Sequence, residues 1–119
     1  MVEGIVSFND WQRIDLRVGR ILKAEDIEGT NKLYKLSIDL GKELGKRTLV
    51  AGIKPHYKPA ELKNKICIVF ANLEPKTLKG IESQGMILAA VSQDKDGKET
   101  VRLLCPDSDA NAELGSKVR

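Results

Sequence analysis

The chain has 119 residues, 41% of them hydrophobic and 31% charged, and carries a formal net charge of +3. These values suit one soluble domain over residues 1–119, large enough to bury a core without disulfides or metal. No apolar stretch approaches the roughly 20 residues needed to span a bilayer, and Met1 to Ile5 lack the basic start and long apolar run of a secretory signal. A cytoplasmic protein with no membrane partner is therefore expected.

The first element in chain order is a short helix. Ser7-Phe8-Asn9-Asp10 resembles a capping box and leads into Trp11-Gln12-Arg13-Ile14. Phe8 and Trp11 would form its apolar side. From Leu16 the pattern is β: Leu16 and Val18 alternate with Arg17, and the apolar phase then slips at Ile21-Leu22 after Gly19. A glycine at a phase slip suits a bulge or barrel bend. Glu28 to Asn31 is a turn cluster. Tyr34, Leu36, Ile38 and Leu40 then alternate with polar residues at a period of two. Gly41 to Gly45 breaks that pattern and Arg47 to Ala51 resumes it. Pro59 to Leu62 reads as a helical turn opened by proline.

Lys65 to Ala71 is a strand apolar on both faces, and Met86 to Val91 is a further buried-looking strand. Asp94 to Gly97 is a hairpin turn, with Thr100 to Cys105 returning from it. About six short strands in a domain of this size suggest a sandwich or barrel. The helical turn before the fourth strand favours a five-stranded OB barrel. The expected class is all-β: an OB barrel core at about residues 14–92, a short N-terminal helix and a C-terminal β extension.

Catalysis lacks support. There is no phosphate-cradling glycine loop, no metal-ligand spacing and no nucleophile-base pair, so no catalytic residue, metal or cofactor is expected. Cys67 and Cys105 stand apart in apolar stretches and read as small hydrophobes. Charge is more informative. Between Lys32 and Lys65 there are nine Lys/Arg against three acids, so the remainder of the chain is net acidic. A basic face for a polyanion would produce this asymmetry; ordinary solvated lysines would too.

Several motifs then follow in a familiar order: Asp15-Leu16-Arg17-Val18-Gly19, Asn31-Lys32-Leu33-Tyr34, Arg47 to Ile53, Asn72 to Lys76, and Lys79-Gly80-Ile81-Glu82-Ser83-Gln84-Gly85-Met86 running on to Ala90. Together they resemble the tRNA-binding domain found at the C-terminus of many methionyl-tRNA synthetases and in free-standing structure-specific tRNA-binding proteins. The resemblance extends from about Phe8 to the C-terminus. It implies an OB core, homodimers, and binding to the outer corner of tRNA with little sequence preference. Asn31, Lys32, Ser83 and Met86 match its motifs and are carried over as tRNA contacts. The family often has His-Pro where this chain has Ile27-Glu28-Gly29, so the first loop is expected to differ in shape.

Lys32, after a turn and before an alternating strand, should project at the barrel rim as a phosphate contact or as a solvated strand end. Lys76 and Lys79, on a connection after the Pro75 turn, are candidates on the same grounds. Ser83 would donate to phosphate or cap the next strand; Met86 would meet a nucleotide or join the core. Aromatic content is only 4%, with Tyr57 the one aromatic in a candidate loop. Single-strand binders stack bases on aromatic platforms, so this barrel should read shape and phosphates of folded RNA instead.

The expected role is a non-catalytic subunit, a β subunit of methionyl-tRNA synthetase that raises its affinity for tRNA. A free tRNA chaperone and an export-related chaperone for polypeptides are the alternatives. Phe8, Trp11, Leu103, Leu104, Leu114 and Val118 lie on apolar elements outside a five-stranded barrel and are expected to form a homodimer interface.

Overall fold

The computed structural model describes residues 4–108 and 113–119, so Met1 to Glu3 of the signal reading lie outside the described residues. The N-terminal helix α1, Phe8–Gln12, forms where the capping signal places it, with Ser7 Oγ accepting from the Asp10 amide. Strand β1 (Leu16–Asp26) follows, then β2 (Tyr34–Asp39), the turn α2 (Gly41–Leu44) and β3 (Lys46–Ala51). The proline-led turn α3 (Pro59–Leu62) precedes β4 (Ile66–Phe70). After it come β5 (Lys76–Leu78), β6 (Ile81–Ser83), β7 (Met86–Ile87), β8 (Ala89–Gln93), β9 (Glu99–Leu103) and β10 (Lys117–Val118).

The antiparallel order β3-β2-β1-β4-β7 makes a nearly closed five-stranded barrel of OB type. Its interior holds Ile21, Leu36, Ile38, Leu49, Cys67 and Val69 among others. A second apolar cluster lies outside, where Leu16, Val18, Ile66 and Ile68 are covered by Ile14, Leu88, Leu114 and Val118. Alternation along β4 explains its two apolar faces: Cys67 and Val69 enter the barrel, while Ile66 and Ile68 join the outer cluster.

The phase slip in β1 has two causes. Leu16 and Val18 face the outer cluster whereas Ile21 faces the core, so the buried face changes along the strand. The bulge itself falls between Ile21 and Lys23 in the pairing with β2, not at Gly19. Gly19 serves close packing, since a Cβ there would stand 2.8 Å from Leu40 Cδ2 and 2.9 Å from Ile38 Cγ2.

Three elements differ from expectation. The single strand expected from Met86 to Val91 is two, because β7 pairs with β4 while β8 pairs with β9. Met86 is 53% exposed, not buried. The stretch from Lys76 to Ser83 is a hairpin, not a plain connection. Its turn, Lys79-Gly80, has φ of 51° and 78°. Two consecutive positive φ values give the primed turn whose twist suits two-residue hairpins.

The C-terminal extension is held close to β1 by strand pairing and by one buried cation. Leu16 pairs with Val118 and Arg17 with Lys117. Arg17, 5% exposed, donates through its guanidinium to Asp15 at 2.6 Å, Glu43 at 2.7 Å and the Gly115 carbonyl at 3.0 Å. Bonding to Arg17 holds the Glu43 carboxyl below its ordinary range. Burial pushes the Cys67 thiol up to about 12.

Candidate nucleic-acid interface

The β5–β6 hairpin stands beside β3 and leaves a groove of about 440 Å³ between them. Val50 forms one wall, Pro75, Lys76 and Leu78 another, and Ser83 and Met86 line the rest. Three of the six expected contacts, Lys76, Ser83 and Met86, are thus brought together by tertiary structure. Lys79 is exposed at the tip of the same hairpin.

Asn31 and Lys32, both exposed, lie in the loop before β2. The Lys32 carbonyl accepts from the Lys54 amide at 3.2 Å, which fixes this loop to the end of β3. Lys32 N also donates to Thr30 Oγ1 at 3.1 Å, a local turn that shapes the loop. Lys35 pairs with Val50 across β2 and β3 and is half exposed. The Asn31–Lys32 loop, the outer side of β2–β3 and the hairpin therefore join into one surface.

Ser83 occupies this surface differently from the other candidates. It is buried, its Oγ accepts from Val50 N at 3.0 Å, and its hydroxyl donates to the Gly85 carbonyl at 3.1 Å. Its hydrogen bonds therefore serve the fold. Gln84 and Arg47 were not singled out by sequence reasoning and act at the same seam. Gln84 N donates to Thr48 O at 2.9 Å, and Gln84 Oε1 accepts from Thr48 N at 3.1 Å. Arg47 donates to the Ala71 and Gln84 carbonyls. Nothing in the local sequence marks a glutamine as a strand substitute; its place inside the Ser-x-Gly-Met stretch was the available signal.

The basic run from Lys32 to Lys65 does not form one face. Lys42 lies on α2, while Lys58 and Lys63 flank α3. Lys54 pairs with Asp26 at 3.0 Å, and Lys65 stands 5.9 Å from the Tyr57 ring centroid. Tyr57 itself is tied into the fold: its hydroxyl accepts from Leu103 N at 3.0 Å, and its carbonyl accepts from Tyr34 at 2.7 Å.

Of the expected dimer residues, Phe8 is 69% and Trp11 38% exposed, and Leu104 is exposed. Leu114 and Val118 are half-buried against the outer cluster. Leu103 is a correction: it is buried in the barrel's own core, because β9 packs inward beside Tyr57. Among the described residues no group of three or more His, Cys, Asp or Glu is placed to hold a metal ion. No helix among them is long and apolar enough to cross a membrane.

Comparison with known proteins agrees with this geometry. A family model described as "Putative tRNA binding domain" matches residues 16–116. The methionine–tRNA ligase of Pyrococcus horikoshii is 54% identical over 114 residues, which is 96% of this chain and 14% of that protein. The chain thus spans about one-seventh of the length of that curated relative. Among solved structures, the CsaA chaperone protein from Picrophilus torridus superposes with a TM-score of 0.83 at 35% identity, covering 97% of this chain and all of that one. The MetRS related protein from Pyrococcus horikoshii gives 0.80 at 34% identity, over 98% and 99% of the two chains. The chain belongs to the tRNA-binding domain family.

Proposed function

We propose that the chain is a non-catalytic, structure-specific tRNA-binding protein of the cytoplasm. The observation that carries this reading is the continuous surface made by the Asn31–Lys32 loop, the outer side of β2–β3 and the Lys76–Lys79 hairpin. It offers lysines to phosphates and Met86 to a nucleotide, yet none of the five aromatics is available on it as a base platform. Tyr34 is buried, Tyr57 is bonded within the fold, Phe70 packs on the outer cluster, and Phe8 and Trp11 belong to α1. Such a surface recognises the form of a folded RNA.

Its biological partner in this reading is the catalytic subunit of a methionyl-tRNA synthetase, whose tRNA affinity it raises by local concentration. The likeness to synthetase segments supports that assignment. The free tRNA chaperone and the polypeptide chaperone are the competing roles, the latter suggested by the likeness to a chaperone protein. A homodimer formed through Phe8, Trp11 and Val118, which border a groove of about 560 Å³, belongs to the same proposal.

The test is filter binding of the full chain with initiator tRNA, an unrelated tRNA and an unfolded polypeptide. Shape recognition requires the two tRNAs to bind within a few-fold and the polypeptide to bind poorly. A hundredfold preference for one tRNA, about 2.7 kcal/mol, would demand base readout that this surface does not offer. Preference for the polypeptide would favour the chaperone role.

A further inference from the structure

The barrel is closed beside the groove by something other than an ordinary strand pair. β3 presents Thr48 N, Thr48 O and Val50 N along an open edge, and such groups need partners. Residues Ser83 and Gln84 supply them: two of the three partner groups are side chains, and the third is the amide of the residue connecting β6 to β7. Gln84 Oε1 takes the Thr48 amide, Gln84 N meets the Thr48 carbonyl, and Ser83 Oγ takes the Val50 amide. Arg47 spans the seam by donating to the Gln84 and Ala71 carbonyls, which ties β3 to the end of β4.

The β5–β6 hairpin begins and ends at such fastenings. Ser83 is its last residue. On the other side, the Asn72 side chain accepts from Asp15 N at 2.8 Å and donates to the Arg13 carbonyl at 2.6 Å, four residues before β5. Lys76 and Lys79 therefore stand on an arm whose direction is set by neutral side-chain bonds at its feet.

We propose that Gln84, assisted by Ser83 and Arg47, is a positioning residue for RNA binding: it fixes the hairpin so that Lys76 and Lys79 face the same ligand as Met86. The inference rests on the tRNA-binding reading above. It makes an unusual demand. Removing a neutral side chain should diminish a charge-dependent quantity, because two phosphate contacts loosen together while no lysine is lost.

The experiment measures binding of the full chain to total tRNA across about 50–200 mM salt, where each phosphate contact contributes about 0.9 unit to the slope of log affinity against log salt. Gln84→Met keeps side-chain length and charge but loses the acceptor. The expected result is an affinity about tenfold lower and a slope shallower by about one to two units. Adding Lys76→Ala and Lys79→Ala to Gln84→Met should then change little.

Amide exchange provides the check on folding: Thr48 and Val50 should exchange faster in Gln84→Met while the β1–β2 amides stay protected. If Gln84→Met does not fold, Arg47→Lys probes the same seam without loss of charge and should shift the slope in the same direction. An affinity loss with an unchanged slope would mean direct contact by Gln84 and would overturn the proposal. Wild-type affinity and slope in the variant would overturn it as well. Failure of the wild-type chain to bind tRNA is a different result: it removes the tRNA-binding reading itself, and the positioning role with it.

Discussion

Gly85→Ala offers a stringent probe of how the barrel closes. Gly85 adopts φ of 137°, and a Cβ there would stand 2.8 Å from the Phe70 carbonyl oxygen and 3.4 Å from Val69 Cγ1. The near contact is backbone, so no rotamer change relieves it. Conformational strain of about 1–3 kcal/mol adds to an overpacking cost of about 1–3 kcal/mol. The smaller entropy of the unfolded alanine chain offsets about 0.4–1 kcal/mol. The net cost is about 3 kcal/mol, a large share of the roughly 5–15 kcal/mol that holds a domain together.

For a chain of this size about 1 kcal/mol lowers Tm by about 4 °C, so Gly85→Ala should melt about 12 °C lower. Gly80→Ala is the matched control. Gly80 also has positive φ, 78°, but nothing lies within 4 Å of its virtual Cβ. Its cost should be about 1 kcal/mol, or about 4 °C. Melting followed by circular dichroism compares the two. If Gly85→Ala melts as high as Gly80→Ala, the close approach of residue 85 to β4 is not what sets the closure.

Lys32→Ala, Lys76→Ala and Lys79→Ala should each weaken all tRNAs about equally and reduce the salt slope by about one unit, read by filter binding; wild-type slopes in all three would place the interface elsewhere. Near pH 8.5 a thiol reagent should modify the exposed Cys105 in the native chain, whereas Cys67, buried and pushed up to about 12, should react only on unfolding. Two rapidly reacting thiols per native chain would contradict that burial. The lowered Glu43 carboxyl contributes stability above the ordinary carboxylate range and loses that contribution as pH falls through its own, lower value. Melts taken between about pH 7 and pH 2 should therefore show a weaker acid dependence in Glu43→Gln than in wild type, and identical profiles would refute the Arg17–Glu43 coupling.

The sequence by itself determined the elements whose signals are local. The Ser7 cap, the period-two alternation of Tyr34 to Leu40, the proline-led turn at Pro59 and the Asp94–Gly97 hairpin depend on neighbours within a few residues, and all are present. The motif order also carried the family. The tertiary structure decided what depends on distant partners. It split Met86 to Val91 between β4 and β9, and it buried Leu103 beside Tyr57. It gave the Ser83 hydroxyl to Val50, 33 residues away in the chain, and made Gln84 a substitute for a strand edge. It also scattered the basic run from Lys32 to Lys65 around the barrel, because a closed sheet turns successive strands and their connections toward different sides. Composition along the chain records how many charges there are, but the closure of the sheet determines which of them share a surface.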